Sequence, residues 1–152
     1  MIKFRAWKKV NTQEMFNDVR VIDFDKRIIK VGYQLSRDTT RIDTESLDNV
    51  VLMQSTGLKD KNGVEIYEGD IIEFDDETLC YPFDDECAVI TTNRAQVSLD
   101  SVYGVQLKNF MIEDSEVSES NYFSNINKKV FFENYEIIGN IYKHSYMLEE
   151  FK

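Results

Sequence analysis

Proline and histidine are almost missing: Pro82 and His144 are the only ones in 152 residues. Six scattered glycines and one proline make the chain neither low-complexity nor disordered, and leave no glycine-rich loop to cradle a phosphate. With one histidine, a nucleophile-base pair would need His144 beside Cys80, Cys87 or a serine. It stands between Lys143 and Ser145 in a terminal turn, so a surface histidine is expected and catalysis is not. The two cysteines, Cys80 and Cys87, have neither the Cys-x-x-Cys spacing of zinc and redox sites nor the look of a secreted disulfide framework, which points to reduced thiols. No apolar run approaches the ~20 residues that span a bilayer, so no membrane partner is expected. The opening MIKFRAWKK carries four cations and no apolar stretch behind them, which implies no secretory signal and a cytoplasmic setting.

What is present is a chain long enough to bury a real core, with 42% apolar and 12% aromatic residues and a net charge of −10. The charge is uneven. Met1 to Asp43 holds ten Lys/Arg against six Asp/Glu, and Thr44 to Lys152 eight against twenty-two, giving +4 and −14. So negative a chain argues against phosphate-backbone binding as the main activity, because that affinity comes from cations releasing counterions. It suits basic partners, or mimicry of an acidic polymer.

The stretch "STGLKDKNGVEIYEGDIIEF", Ser55 to Phe74, is the most strongly patterned. Asn62-Gly63 is a pair that tolerates positive φ in a tight hairpin turn, and Val64, Ile66, Ile71, Ile72 and Phe74 follow, broken by Gly69-Asp70. Asn62, Gly63, Gly69 and Asp70 are therefore expected to be structural turn residues, a specification without chemistry. Elsewhere Phe4 to Trp7, Val19 to Asp23, "DFDKRIIKV" around an Asp25-Lys26 turn, Val50 to Met53, Ala88 to Val97, Val102 to Phe110, Val130 to Phe132 and Tyr135 to Tyr142 read as strands. "NTQEMFND" and "SYMLEEFK" read as helical. Asp75 to Glu86 and Glu113 to Asn125 read as polar loops. The pattern is mainly β, a small barrel or sandwich.

Three blocks, "MIKFRAW", "LMQSTGLKDKNGVEIYEGDIIEF" and "YEIIGNIYKHSYMLEE", occur in an order that resembles the YopX family of phage and prophage proteins. The resemblance implies an SH3-type barrel over residues 55–152, an added N-terminal β region over 1–54 packed on it, and a short C-terminal helix. It further implies self-association and an origin in a phage or prophage of a low-GC Gram-positive bacterium. It implies no biochemical activity and no cofactor. The acidic run after Phe74 and the "HSYMLEE" tail depart from the family pattern.

Two clusters invite chemistry. Asp75, Asp76, Glu77, Asp84, Asp85 and Glu86 bring carboxylates that hard cations favour, but with no EF-hand spacing; a solvated acidic loop, or a surface for interaction, is the expected reading. Lys3, Phe4, Arg5, Trp7, Lys8 and Lys9 combine cations and aromatics as single-strand binders do. Alternation explains them as a first strand with Phe4 and Ala6 on one side and Lys3, Arg5 and Trp7 on a wet side. The sequence thus points to a non-enzymatic, self-associating interaction module with a host or phage protein as partner. A nucleic-acid-binding barrel and an acidic DNA mimic remain as alternatives.

Overall fold

The computed structural model describes residues 2–79, 88–112 and 132–149. Their secondary structure is mainly β, in three antiparallel sheets, and the chain divides into two compact units, Met1–Ser55 and Thr56–Lys152.

The first unit begins with β1 (Phe4–Lys8), β2 (Met15–Phe16), β3 (Val19–Asp23), β4 (Ile28–Gln34) and β5 (Thr40–Ser46). A 3-10 turn (Leu47–Asn49), whose Asp48 amide donates to Ser46 Oγ at 3.2 Å, leads into β6 (Val50–Lys59). β1 lies between β2 and β6, with Ala6 opposite Phe16 and Leu52, while β3, β4 and β5 form a meander. In β4 the burial alternates: Ile29 and Val31 are buried and Lys30 between them is exposed, the period of two of a strand with one covered face. Ala6, Phe16, Ile29, Val31 and Val50 are the buried centre, with Val19, Ile22, Tyr33, Leu47 and Leu52 packed on it. Burying each large apolar side chain in such a cluster contributes roughly 1.5–3 kcal/mol. The β3–β4 turn places Arg27 at φ 54° and satisfies the Lys26 amide with Asp23 Oδ1 at 2.9 Å.

Two expectations are corrected in this unit. "NTQEMFND" holds a short strand and no helix: Lys8 donates its amide to the Glu14 carbonyl at 2.9 Å and Phe16 is buried opposite Ala6, so pairing and burial override a weak helical pattern. β1 also lacks the wet face expected of it. Trp7 is only 4% exposed, and Met53, paired with Arg5, is 1% exposed.

The second unit holds the end of β6, then β7 (Glu65–Tyr67), β8 (Asp70–Leu79), β9 (Ala88–Asp100), β10 (Gly104–Lys108), β11 (Glu136–Asn140) and a 3-10 turn (Ser145–Leu148). Its main sheet, in the order β10-β9-β8-β11, curls into a half-barrel. The core gathers Ile66, Ile72, Phe74, Ala95, Val97, Leu107, Phe132 and Tyr135, with the Phe74 and Tyr135 rings stacked at 4.5 Å. Asp75 to Glu86 was expected to interrupt the strands, but β8 continues through Asp75, Asp76 and Glu77 to Leu79. β-Branched residues opposite them, Thr92, Thr91 and Ile90 on β9, carry the pairing that the acids alone would not favour.

Candidate functional site

The two longer sequence blocks meet in the second unit, and the residues that make them distinctive hold main chain. Asp60 is 4% exposed. Its Oδ1 accepts from the amides of Asn62 and Val64, both at 2.9 Å, and its Oδ2 from the amide of Ile137 at 3.1 Å. The adjacent Lys61 amide donates to the Tyr135 carbonyl at 2.8 Å, so the 60–64 turn is sewn to the start of β11 at two places. Gly63 has φ +76° and Gly69 φ +85°, a region costly for any residue with a Cβ. Asn62 lies outside that region, which corrects the expectation that both members of the pair adopt it.

Gly69 is a second clamp: its amide donates to the Val97 carbonyl and its carbonyl accepts from the Ile141 amide, both at 2.9 Å. Asp70, 1% exposed, accepts the Tyr67 amide at 2.8 Å through Oδ2. Asn140, paired with Asp70, accepts the Tyr142 and Lys143 amides at 3.0 and 3.1 Å and donates its own amide to His144 Nδ1 at 3.2 Å. His144 is therefore half-buried and structural, where an exposed histidine was expected. In the neutral imidazole that bond leaves the proton on Nε2. The ring lies over Gly139, where an added Cβ would be 2.6 Å from Nδ1.

Beside this junction runs a row of charge. Glu136 and Glu73 face each other on β11 and β8, and Glu73 faces Arg94 on β9. Like charges directly opposite destabilise a sheet. Here each is answered by a cation: Lys61 Nζ lies 3.0 Å from Glu136 Oε2, and Arg94 Nε 3.0 Å from Glu73 Oε2. The bond to Glu136, above all, raises the pKa of Lys61. Asn93, fully buried, donates to the Ile112 carbonyl at 3.0 Å and accepts the Ile112 amide at 2.9 Å, docking the chain after β10 onto β9.

Of the acidic candidates, Asp75, Asp76 and Glu77 lie on β8. They occupy successive register positions opposite Thr92, Thr91 and Ile90 on β9. Asp84, Asp85 and Glu86, like Cys80, Cys87 and the stretch Glu113 to Asn125, lie outside the described residues. Among the described residues no three His, Cys, Asp or Glu side chains come together in a way that would hold a metal ion. In the basic and aromatic opening, the buried Trp7 offers no ring face for a base to stack on.

A polar cluster in the first unit had no signal in the sequence. Tyr33 donates its hydroxyl to Glu14 Oε1 at 2.9 Å, the Arg41 guanidinium sits 4.9 Å above its ring, and Arg41 forks onto Asp43 through Nε at 2.8 Å and Nη2 at 2.9 Å. Lys8 bonds Glu45 at 2.9 Å nearby. Burial first, then the hydrogen bond and charge of Glu14 and the charges of Asp43 and Glu45, push the Tyr33 hydroxyl up to about 12. At neutral pH it is a donor that keeps its proton, a latch between β4 and the segment before β2. The residues of this cluster are scattered from Lys8 to Glu45, and only the meander brings them together.

No curated protein matched the sequence. The structure is similar to the crystal structure of protein EF1440 from Enterococcus faecalis, at 27% identity and a TM-score of 0.56 over 98% of this chain and 99% of that one. The family model described as YopX protein matches residues 3–149. With nearly its whole length matched, the chain belongs to the YopX family.

Proposed function

We propose that the chain is a self-associating protein-interaction module of phage or prophage origin, working without enzymatic chemistry in the cytoplasm of a host cell. The observation that carries it is the β3-β4-β5 meander, whose outer face exposes Val21 and Ile42 and whose outer strand β5 pairs, among the described residues, with β4 alone. Uncovered strand edges invite pairing with another chain. Among the described residues the buried polar side chains Asp60, Asp70 and Asn93 accept main-chain amides, which gives them architectural work. The half-barrel of the second unit, closed at Gly69 and Asp60, is an SH3-type barrel in this reading. Of the C-terminal helix expected over "SYMLEEFK", the described residues hold a 3-10 turn, Ser145–Leu148, that ends at the extended Glu149. Light scattering over a range of protein concentrations tests the proposal. A mass that rises above that of one chain is expected, and one that stays at a single chain at the highest concentration would overturn it.

A further inference from the structure

We infer that the outer edge of β5 is a self-complementary pairing site for β5 of a second copy, centred on Ile42; this rests on the self-association proposed above. β5 reads Thr40-Arg41-Ile42-Asp43-Thr44 from its start, and about Ile42 the sequence mirrors itself. In an antiparallel pair with a two-fold axis at Ile42, Thr40 faces Thr44 of the other copy and Arg41 faces Asp43. Ile42 meets its own twin.

The hydrogen-bond phase of the strand agrees. The Leu47 amide donates to the Arg27 carbonyl at 3.0 Å and the Leu35 amide to the Thr39 carbonyl at 2.9 Å, at the two ends of the β4–β5 ladder. Bonded and non-bonded pairs alternate along an antiparallel ladder. Arg41, Asp43 and Glu45 therefore turn their main-chain groups to β4, and Thr40, Ile42 and Thr44 turn theirs outward. These outward residues are the ones a pairing centred on Ile42 bonds to each other, Ile42 to Ile42 and Thr40 to Thr44.

Side-chain charge selects this register over its neighbours. Centring on Arg41 or on Asp43 sets that residue against its own copy, and centring on Thr44 sets Asp43 against Glu45; each places like charges directly opposite. Centring on Ile42 places only opposite charges together. Both partners are accessible there: the Arg41 side chain is 54% exposed and that of Asp43 34%. Arg41 uses Nε and Nη2 on its own Asp43, which leaves Nη1 to reach the carboxylate of the other copy. Ile42 itself is 46% exposed. The product is a six-stranded sheet running β3-β4-β5-β5-β4-β3 across the axis. A pairing of five residues is small beside the roughly 1,600 Å² of a standard interface, so the dimer is weak and its population depends on concentration.

The test uses the full chain with Cys80 and Cys87 replaced by Ser. Across the axis the two Ile42 Cα atoms form a bonded pair about 5.5 Å apart, within disulfide reach. Ile42→Cys is therefore expected to give a covalent dimer under mild oxidation, faster than Asp43→Cys or Thr44→Cys. The exchanged double variant Arg41→Asp/Asp43→Arg keeps the pair within its own strand and still matches itself, but sets like charges against the wild type. It is expected to self-associate and to refuse mixed dimers, while Arg41→Asp alone associates less; circular dichroism confirms that each variant is folded. A wild-type chain that associates while Ile42→Cys does not cross-link preferentially, or that mixes freely with the exchanged variant, overturns this pairing and leaves the self-association reading standing. A wild-type chain that stays monomeric overturns both.

Discussion

Asp60 is a single carboxylate that organises three amides, and the burial of its side chain makes the arrangement costly to lose. Asp60→Ala is expected to lower stability by about 2 kcal/mol, seen as a lower urea midpoint at unchanged slope. Asp60→Asn should fall between, since it keeps one acceptor and turns an amide toward Ile137. A midpoint that does not move would refute the clamp. The turn around it was legible because Asn62-Gly63 is a local signal, whereas the clamp was not, because Ile137 is 77 residues away. Tyr33 supplies the second test at this scale. Its pKa rises from 10.0 to about 12 on folding, so the folded state holds the proton more tightly. Its contribution is complete below about pH 10 and is lost as pH climbs through about 12. Thermal melts compared at about pH 9 and about pH 11 should show a steeper alkaline loss for the wild type than for Tyr33→Phe. Equal losses would mean that burial and Glu14 do not raise the Tyr33 pKa on folding.

At the scale of elements, strand identity was legible where apolar residues alternate, as in β4, and illegible where charge hides the alternation. β8 looks like a loop after Phe74 because Asp and Glu disfavour strands; Thr92, Thr91 and Ile90, which decide the matter, are far along the chain. The charge row across β11, β8 and β9 follows the same logic. Arg94→Ala should leave Glu73 facing Glu136 with one cation fewer, at a cost of about 1 kcal/mol. Adding Glu73→Gln should recover part of it, and strictly additive losses would show that the row is not coupled. β11 is bound to the turn after it by the close approach of His144 to Gly139. An added Cβ would stand 2.6 Å from Nδ1 and 2.8 Å from Cγ, inside any ordinary contact. Gly139→Ala is expected to displace the ring and lower the melting temperature, and His144→Ala in that background should cost less than it does alone. Independent effects would place the imidazole elsewhere.

For the molecule as a whole, the charge split between Met1–Asp43 and the rest suggests at first that copies attract through basic and acidic halves. The structure answers part of that basic surplus inside the first unit, where Lys8 is paired with Glu45 and Arg27 with Asp48, while Arg20 and Arg41 are paired with Asp18 and Asp43 of the same basic stretch. Cations already answered within their own chain steer a second copy weakly. Exposed ion pairs are worth little in any case and are screened beyond ~8 Å at physiological ionic strength. Main-chain bonds formed along an open strand edge are far less sensitive to salt, and they outnumber the two ion pairs that β5 pairing would add. Raising the salt from low to well above physiological strength is therefore expected to weaken association by no more than about tenfold, one decade of affinity. Light scattering or sedimentation at the two salt concentrations measures it. Dissociation that grows by several decades with salt would return the attraction to the two oppositely charged halves, and with it the reason for the split.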